Sequence, residues 1–184
     1  MSINSLSYMP MFGFSMGVST LVGQAMGGGK PYSAVIAANA TAHIALSYVF
    51  GLVLLFIFFP TPLIKIFLPA DLAPADLKNI IDMGIILLRF VAAYLFFDSI
   101  NIIYMGVLKG AGDSRFIMWS MGLAAVFFLF IPVWVGVTQF GMGLYFSWTC
   151  ITIYLFLLCI MIFTRFYKGK WKTIRIIENQ ERAE

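Results

Sequence analysis

Asp98 interrupts a long apolar run, "LFFDSINIIYMGVLKG". Tyr94, Asp98, Asn101 and Met105 fall at i, i+4, i+7 and i+11, which on a helix makes one stripe. Such a stripe can present a phenol, a carboxylate and an amide to a single cavity. Burial disfavours the charged form of a carboxylate, and a charge at mid-bilayer costs at least ~2.5–3.5 kcal/mol on insertion scales. A carboxylate persists there when it is protonated, paired or hydrated, and each of these is a handle for a cation. The competing use is a salt bridge that fixes packing. Arg89, nine residues away, stands on the opposite helix face and ~13 Å along the axis, so it cannot pair with Asp98 within that helix. Packing or snorkelling toward the outer surface accounts for Arg89.

Asn39, His43 and Ser47 are spaced by four and share a second helix face. They could form a polar relay, since a buried His can move protons or hold a cation. Interhelical hydrogen bonding is the plainer use of the same three side chains. No spacing of ligands suggests a metal site. Two glycine-rich stretches imitate phosphate loops. In "GQAMGGGKP" the positions that need Gly and Ser or Thr are Gln24 and Pro31, so it reads as a helix end. "GAGD" follows an apolar helix and lacks a third glycine. No nucleophile–base pair can be assembled, so an enzyme is not expected, nor a cofactor beyond a coupling ion.

The elements that must position these residues are membrane helices. The chain is 61% apolar and 11% charged, with mean hydropathy +0.95, far from the balance of soluble domains. Runs of about 20 apolar residues can cross a ~30 Å hydrocarbon core. About five spans are expected, over 6–27, 33–59, 79–108, 116–137 and 142–164, in an all-α transmembrane bundle covering 1–172. A polar tail, 173–184, follows. The first run is no cleavable leader, since it lacks a basic start and is broken by Pro10 and glycines. Between the spans lie "GGGKPY", the proline-rich "PTPLIKIFLPADLAPADLK", "KGAGDSR" and "TQFG". Cys150 and Cys159, nine residues apart in one run, are too distant along a helix for a disulfide.

Arg165, Lys168, Lys170, Lys172 and Arg175 follow the last span, which puts the C-terminus on the cytoplasmic side of the plasma membrane. Their company of aromatic residues reads as an anchor on the lipid surface, not as a nucleic-acid arm. Counting back, both inner loops are basic and the N-terminus falls outside. An odd number of spans with a short external start suggests that a segment precedes Met1. Gly13, Gly17 and Gly23 offer a small-residue surface for close helix contact, with a lost lobe or a second copy as partner.

"GVSTLVGQAMGGGK", a long second span, and "GVLKGAGDSR" closing the third together resemble the second lobe of multidrug and toxic compound extrusion (MATE) transporters. The resemblance runs from about Leu6 to Lys172 and follows the order of that family's last five helices. It implies most of a six-helix lobe, with the first lobe and one opening helix absent, so the chain resembles a C-terminal portion. It also implies export of amphipathic or cationic compounds in exchange for Na⁺ or H⁺. Asp98, eleven residues before Lys109, then matches a cation-coupling Asp of the family, with Asn101 and Tyr94 beside it. Gln24, Lys109, Gly110, Gly112 and Asp113 match motif positions that look structural, with conservative departures at Lys109 and Ser114. Alternatives are a lipid-linked sugar flippase of related architecture and a membrane fragment that does not transport.

Overall fold

Backbone geometry at a few glycines and prolines sets where each helix stops and starts. The computed structural model describes residues 3–67 and 74–174. Its elements are α1 (Ile3–Gly27), α2 (Pro31–Phe58), α3 (Pro60–Phe67), α4 (Pro74–Gly110), α5 (Ser114–Ala124), a π-helical turn (Ala125–Phe130), α6 (Ile131–Phe140), α7 (Leu144–Tyr167) and a 3₁₀ turn (Lys170–Thr173). All regular structure among the described residues is helical. The α5 helix, the π turn and α6 join into one rod, Ser114–Phe140.

Both stretches that imitate phosphate loops are helix C-caps. After α1, Lys30 N donates to Ala25 O at 2.8 Å and Gly29 N to Met26 O at 3.1 Å, with Gly29 at φ +67°. After α4, Asp113 N donates to Leu108 O at 2.8 Å and Gly112 N to Lys109 O at 3.0 Å, with Gly112 at φ +83°. Each pair of bonds is the 6→1 and 5→2 pattern of a Schellman motif, which needs a left-handed residue at its centre. Pro31 then opens α2 at a position where a missing N–H costs nothing.

Four stretches are long and apolar enough to cross a membrane: Pro31–Phe58, Ile80–Gly110, Ser114–Phe140 and Leu144–Tyr167. The chain is a multi-pass membrane protein. The first expected span, α1, is 25 residues long but is not among the four, because its serines and glycines dilute its apolar content. It lies at membrane depth by virtue of its neighbours. It runs beside α4 in the same direction, with Tyr8 facing Asp98 and Ser19 against Gly110. The α7 helix flanks α4 in the same sense, with Tyr94 stacked on Trp148 and Tyr104 in tilted contact with Phe166. The central helix is therefore α4, packed by α1, α2 and α7.

One expectation is corrected. The proline-rich connection was expected to be a loop, yet Pro60–Phe67 is helical. Pro60 and Pro62 occupy its first turn, where the N–H groups have no intrahelical partner to lose. The fourth expected span is present as Ser114–Phe140 and carries the π turn at Ala125–Phe130 between α5 and α6. Ile131 N bonds to Val126 O there, just before Pro132, which brings no N–H to the ladder. The expected tail, 173–184, falls outside the described residues apart from its first two positions.

Side-chain size explains the closeness of the bundle. The buried face of α2 is Ala34, Ala38, Ala42, Ala45, Val49, Leu52 and Phe56, spaced by three and four. Small residues let backbones approach where lipid gives no hydrophobic drive to association. At α1–α4 the small residues are Gly106 and Gly110 of α4 against Ser15 and Ser19 of α1. A Cβ on Gly106 would stand 2.6 Å from Ser15 O, and one on Gly110 would collide with the Ser19 backbone. Of Gly13, Gly17 and Gly23, the small surface suggested by the sequence, Gly23 lies against α4, with Gly110 O 3.4 Å from its Cβ position, while Gly13 and Gly17 have nothing within 4 Å.

Candidate functional site

The α1–α4 contact sets the geometry of the groove that contains Asp98. Because Gly106 and Gly110 admit α1 to backbone contact, Ser15 Oγ reaches across and donates to Ile102 O at 2.8 Å. Two turns before Ser15, the same register brings Tyr8 over Asp98. The Tyr8 hydroxyl faces the Asp98 carboxylate, with the Tyr94 hydroxyl beside it. A groove of about 560 Å³ opens along this contact, walled by α1, α4 and α7, with Met121 of α5 at its side. Asp98, Tyr8 and Tyr154 supply its polar atoms toward one end, and Ser15, Ser19 and Lys109 toward the other. Apolar side chains such as Phe12, Ile102 and Leu158 fill the wall between. That volume suits a drug-sized ligand.

The stripe expected on α4 divides between the groove and the α7 interface. Asp98 and Met105 line the groove. Tyr94 is buried, stacked on Trp148 with ring centroids 6.0 Å apart, and reaches the site through Tyr8. Asn101 is also buried, 1% exposed, and its Nδ2 donates to Leu155 O on α7 at 3.0 Å. Its Oδ1 is without a partner among the described residues, which leaves one buried acceptor a helical turn from Asp98. Among the described residues there is no cluster of three or more metal-binding side chains. A cation at this site would meet one carboxylate and phenol oxygens, which are hard ligands.

Asn39, His43 and Ser47 do share a face, but it is the exposed face of α2. His43 Nδ1 bonds to Asn39 O at 2.7 Å and Ser47 Oγ donates to His43 O at 2.8 Å. These side chains engage their own helix backbone, and none of them lines the Asp98 groove. Arg89 is exposed on α4.

The motif positions have separable structural places. Gln24 is exposed, and its carbonyl accepts from Gly28 N at 2.9 Å in the α1 cap. Gly110 carries the close approach to α1, and Gly112 supplies the left-handed cap. Asp113 stands at the N-cap of α5 but makes no capping bond. Its carboxylate instead takes a forked pair from Arg165 of α7, Nε to Oδ2 at 2.7 Å and Nη2 to Oδ1 at 3.2 Å. The Arg165 guanidinium lies 4.7 Å from the Phe116 ring centroid. Lys109 is exposed at the mouth of the groove.

Tyr8, Tyr154 and Arg165 are contributors that sequence reasoning did not find. Nothing adjacent to Tyr8 or Tyr154 in the chain marks them, because their relation to Asp98 is purely tertiary. Gly106-Val-Leu-Lys-Gly110 did carry a signal, a Gly-x-x-x-Gly spacing in an apolar helix.

Comparison with known proteins adds an independent line. The family model described as MatE matches residues 1–135. A probable multidrug resistance protein NorM of Thermotoga maritima is 26% identical over 193 aligned residues, covering all of this chain and 38% of the relative. A probable multidrug resistance protein NorM of Mesorhizobium japonicum is 28% identical over 151, covering 74% of this chain and 32% of the relative. The chain thus spans 38% and 32% of the length of these relatives. No solved structure gives a significant match.

Proposed function

The chain belongs to the MatE family, and from that premise we propose that it forms part of a multidrug efflux antiporter exporting amphipathic or cationic compounds. The observation that carries this reading is the placement of Asp98, a carboxylate lining a groove of about 560 Å³ with Tyr8 of α1 facing it. Na⁺ or H⁺ taken up at Asp98 competes with the Tyr8 hydroxyl for the carboxylate. Occupancy at this point changes what holds α1 to α4, and so biases one orientation of the bundle over another. An ion shifts such an equilibrium only through its differential affinity for the two states. In this mechanism an organic cation and the coupling ion draw on the same negative charge, which ties their fluxes together. Asn101 faces α7, and its Oδ1, without a partner among the described residues, stands one helical turn from Asp98 as a second oxygen for the ion.

The remainder of the cavity comes from a segment matching the other part of the relatives' length, or from a second copy of this chain. The protein sits in the plasma membrane with the C-terminal ends of α1, α4 and α7 toward the cytoplasm. Lys30, Lys109, Arg115, Arg165, Lys168, Lys170 and Lys172 collect at that end, as the positive-inside rule requires. Ethidium binding to the purified protein, followed by fluorescence anisotropy while Na⁺ or H⁺ is titrated, tests the reading. Binding that weakens as one of these ions rises, with that dependence lost in Asp98→Asn, supports it. An ion dependence preserved in Asp98→Asn overturns it.

A further inference from the structure

We propose that Lys109 is a specificity determinant of the groove, and that the preferred ligands are two-ended amphiphiles with a cation at one end and an anion at the other. The inference rests on the reading of Asp98 as the cation-binding group and names the ligand class of that same groove.

Eleven residues separate Asp98 from Lys109, which is almost a whole number of helical turns, so both project along one line of α4 at ~16 Å spacing. Both residues line the same groove, and the register along α4 sets Asp98 toward one end and Lys109 toward the other. The wall between them is apolar, with Ile102, Met105 and Leu158 among its side chains. Lys109 makes no ion pair among the described residues, where the carboxylate of the adjacent loop, Asp113, is taken by Arg165. The ammonium is therefore available to a ligand. A purely cationic compound passing this mouth meets a like charge, whereas one with a carboxylate or phosphate at its inner end meets a partner. Lysine suits this use as a mobile point charge on a flexible stem.

The test uses purified protein in lipid nanodiscs and three ligands competing with ethidium. The first is a trimethylammonium alkanoic acid with about ten methylenes between its charges, a length matched to the ~16 Å spacing. The second is its methyl ester, a monocation of the same length. The third is a short betaine with three methylenes, mimicking the closely spaced charges of a phospholipid headgroup. The expected result is that the long zwitterion binds about fivefold more tightly than its ester, the scale of one partly exposed charge pair. Lys109→Gln removes that preference and Lys109→Arg keeps it. The short betaine gains nothing from Lys109. Loss of affinity for zwitterion and ester in equal proportion in Lys109→Gln, or a preference that survives it, overturns the proposal. A short betaine that binds as tightly as the long one, with the same dependence on Lys109, also overturns it and identifies the anion partner as a headgroup. Asp98→Asn separates the two levels. If it weakens both long ligands while Lys109→Gln leaves their ratio alone, the proposal fails and the Asp98 reading stands. If Asp98→Asn affects neither, both fail.

Discussion

Gly106→Ala adds one methyl group where α4 touches α1, and its consequence can be worked from the geometry. The new Cβ would lie 2.6 Å from both the O and the Oγ of Ser15, and 3.0 Å from Val18 Cγ1, where ordinary contact begins at 3.4 Å. A backbone oxygen cannot rotate away, so α1 must retreat by about 0.8 Å, the difference between 2.6 and 3.4 Å. The Ser15–Ile102 bond, 2.8 Å long, then stretches past hydrogen-bonding range and forfeits about 0.5–1.5 kcal/mol. Overpacking adds roughly 1–3 kcal/mol, while the helix preference of Ala over Gly returns up to ~1 kcal/mol. The net expectation is a loss of roughly 0.5–4.5 kcal/mol. Gly51, on α2, provides the control, since a Cβ there has nothing within 4 Å, and Gly51→Ala should be neutral or stabilising by up to ~1 kcal/mol. Reversible denaturation in mixed micelles, followed by tryptophan fluorescence, measures both. Equal stability of Gly106→Ala and Gly51→Ala would refute the reasoning that glycine sets the α1–α4 distance. Because the same retreat lifts Tyr8 from Asp98, Gly106→Ala should also reduce ion-dependent dye binding.

Arg165→Met should cost about 2–4 kcal/mol by leaving the Asp113 carboxylate buried without its partner, and a double-mutant cycle with Asp113→Asn should give a coupling above ~1 kcal/mol. Additive losses in that cycle would mean the pair contributes nothing beyond its separate parts. Trp171→Ala should cost about 3–5 kcal/mol, because Trp171 is fully buried, stacked on Phe166 at 5.5 Å and bonded to Phe166 O. Faster protease cleavage near Lys170 is the accompanying sign, and unchanged cleavage counts against the docking of the 3₁₀ turn. His43→Ala should leave stability within about 0.5 kcal/mol, as at other exposed sites, and leave dye efflux from cells unaltered. A severalfold loss of efflux would restore the relay of Asn39, His43 and Ser47.

Helix identity and the stripe on α4 were legible because both are local. Apolar length and glycine–proline punctuation depend on a few consecutive residues, and Tyr94, Asp98, Asn101 and Met105 share a face by arithmetic alone. What those side chains face was not legible. Asn101 turns to α7 and Asp98 to the groove because α1 and α7 stand where they do, and that follows from contacts between residues 54 and 87 positions apart. The two caps show a related limit. "GGGK" and "KGAGD" looked like chain ends of helices, yet the pairing of Asp113 with Arg165, which takes the carboxylate away from capping α5, needs α7 in place. The proline-rich stretch misled for a local reason, since Pro reads as a breaker in a helix interior and as a starter in a first turn.

The most direct test of the central claim is flux in proteoliposomes of the purified protein, with any partner segment supplied, loaded with ethidium and subjected to an imposed Na⁺ or H⁺ gradient. The account predicts that one gradient drives dye movement, that Asp98→Asn abolishes the driven flux, and that Tyr8→Phe alters its ion dependence while flux persists. Gradient-driven ethidium movement at the original rate in Asp98→Asn would contradict it.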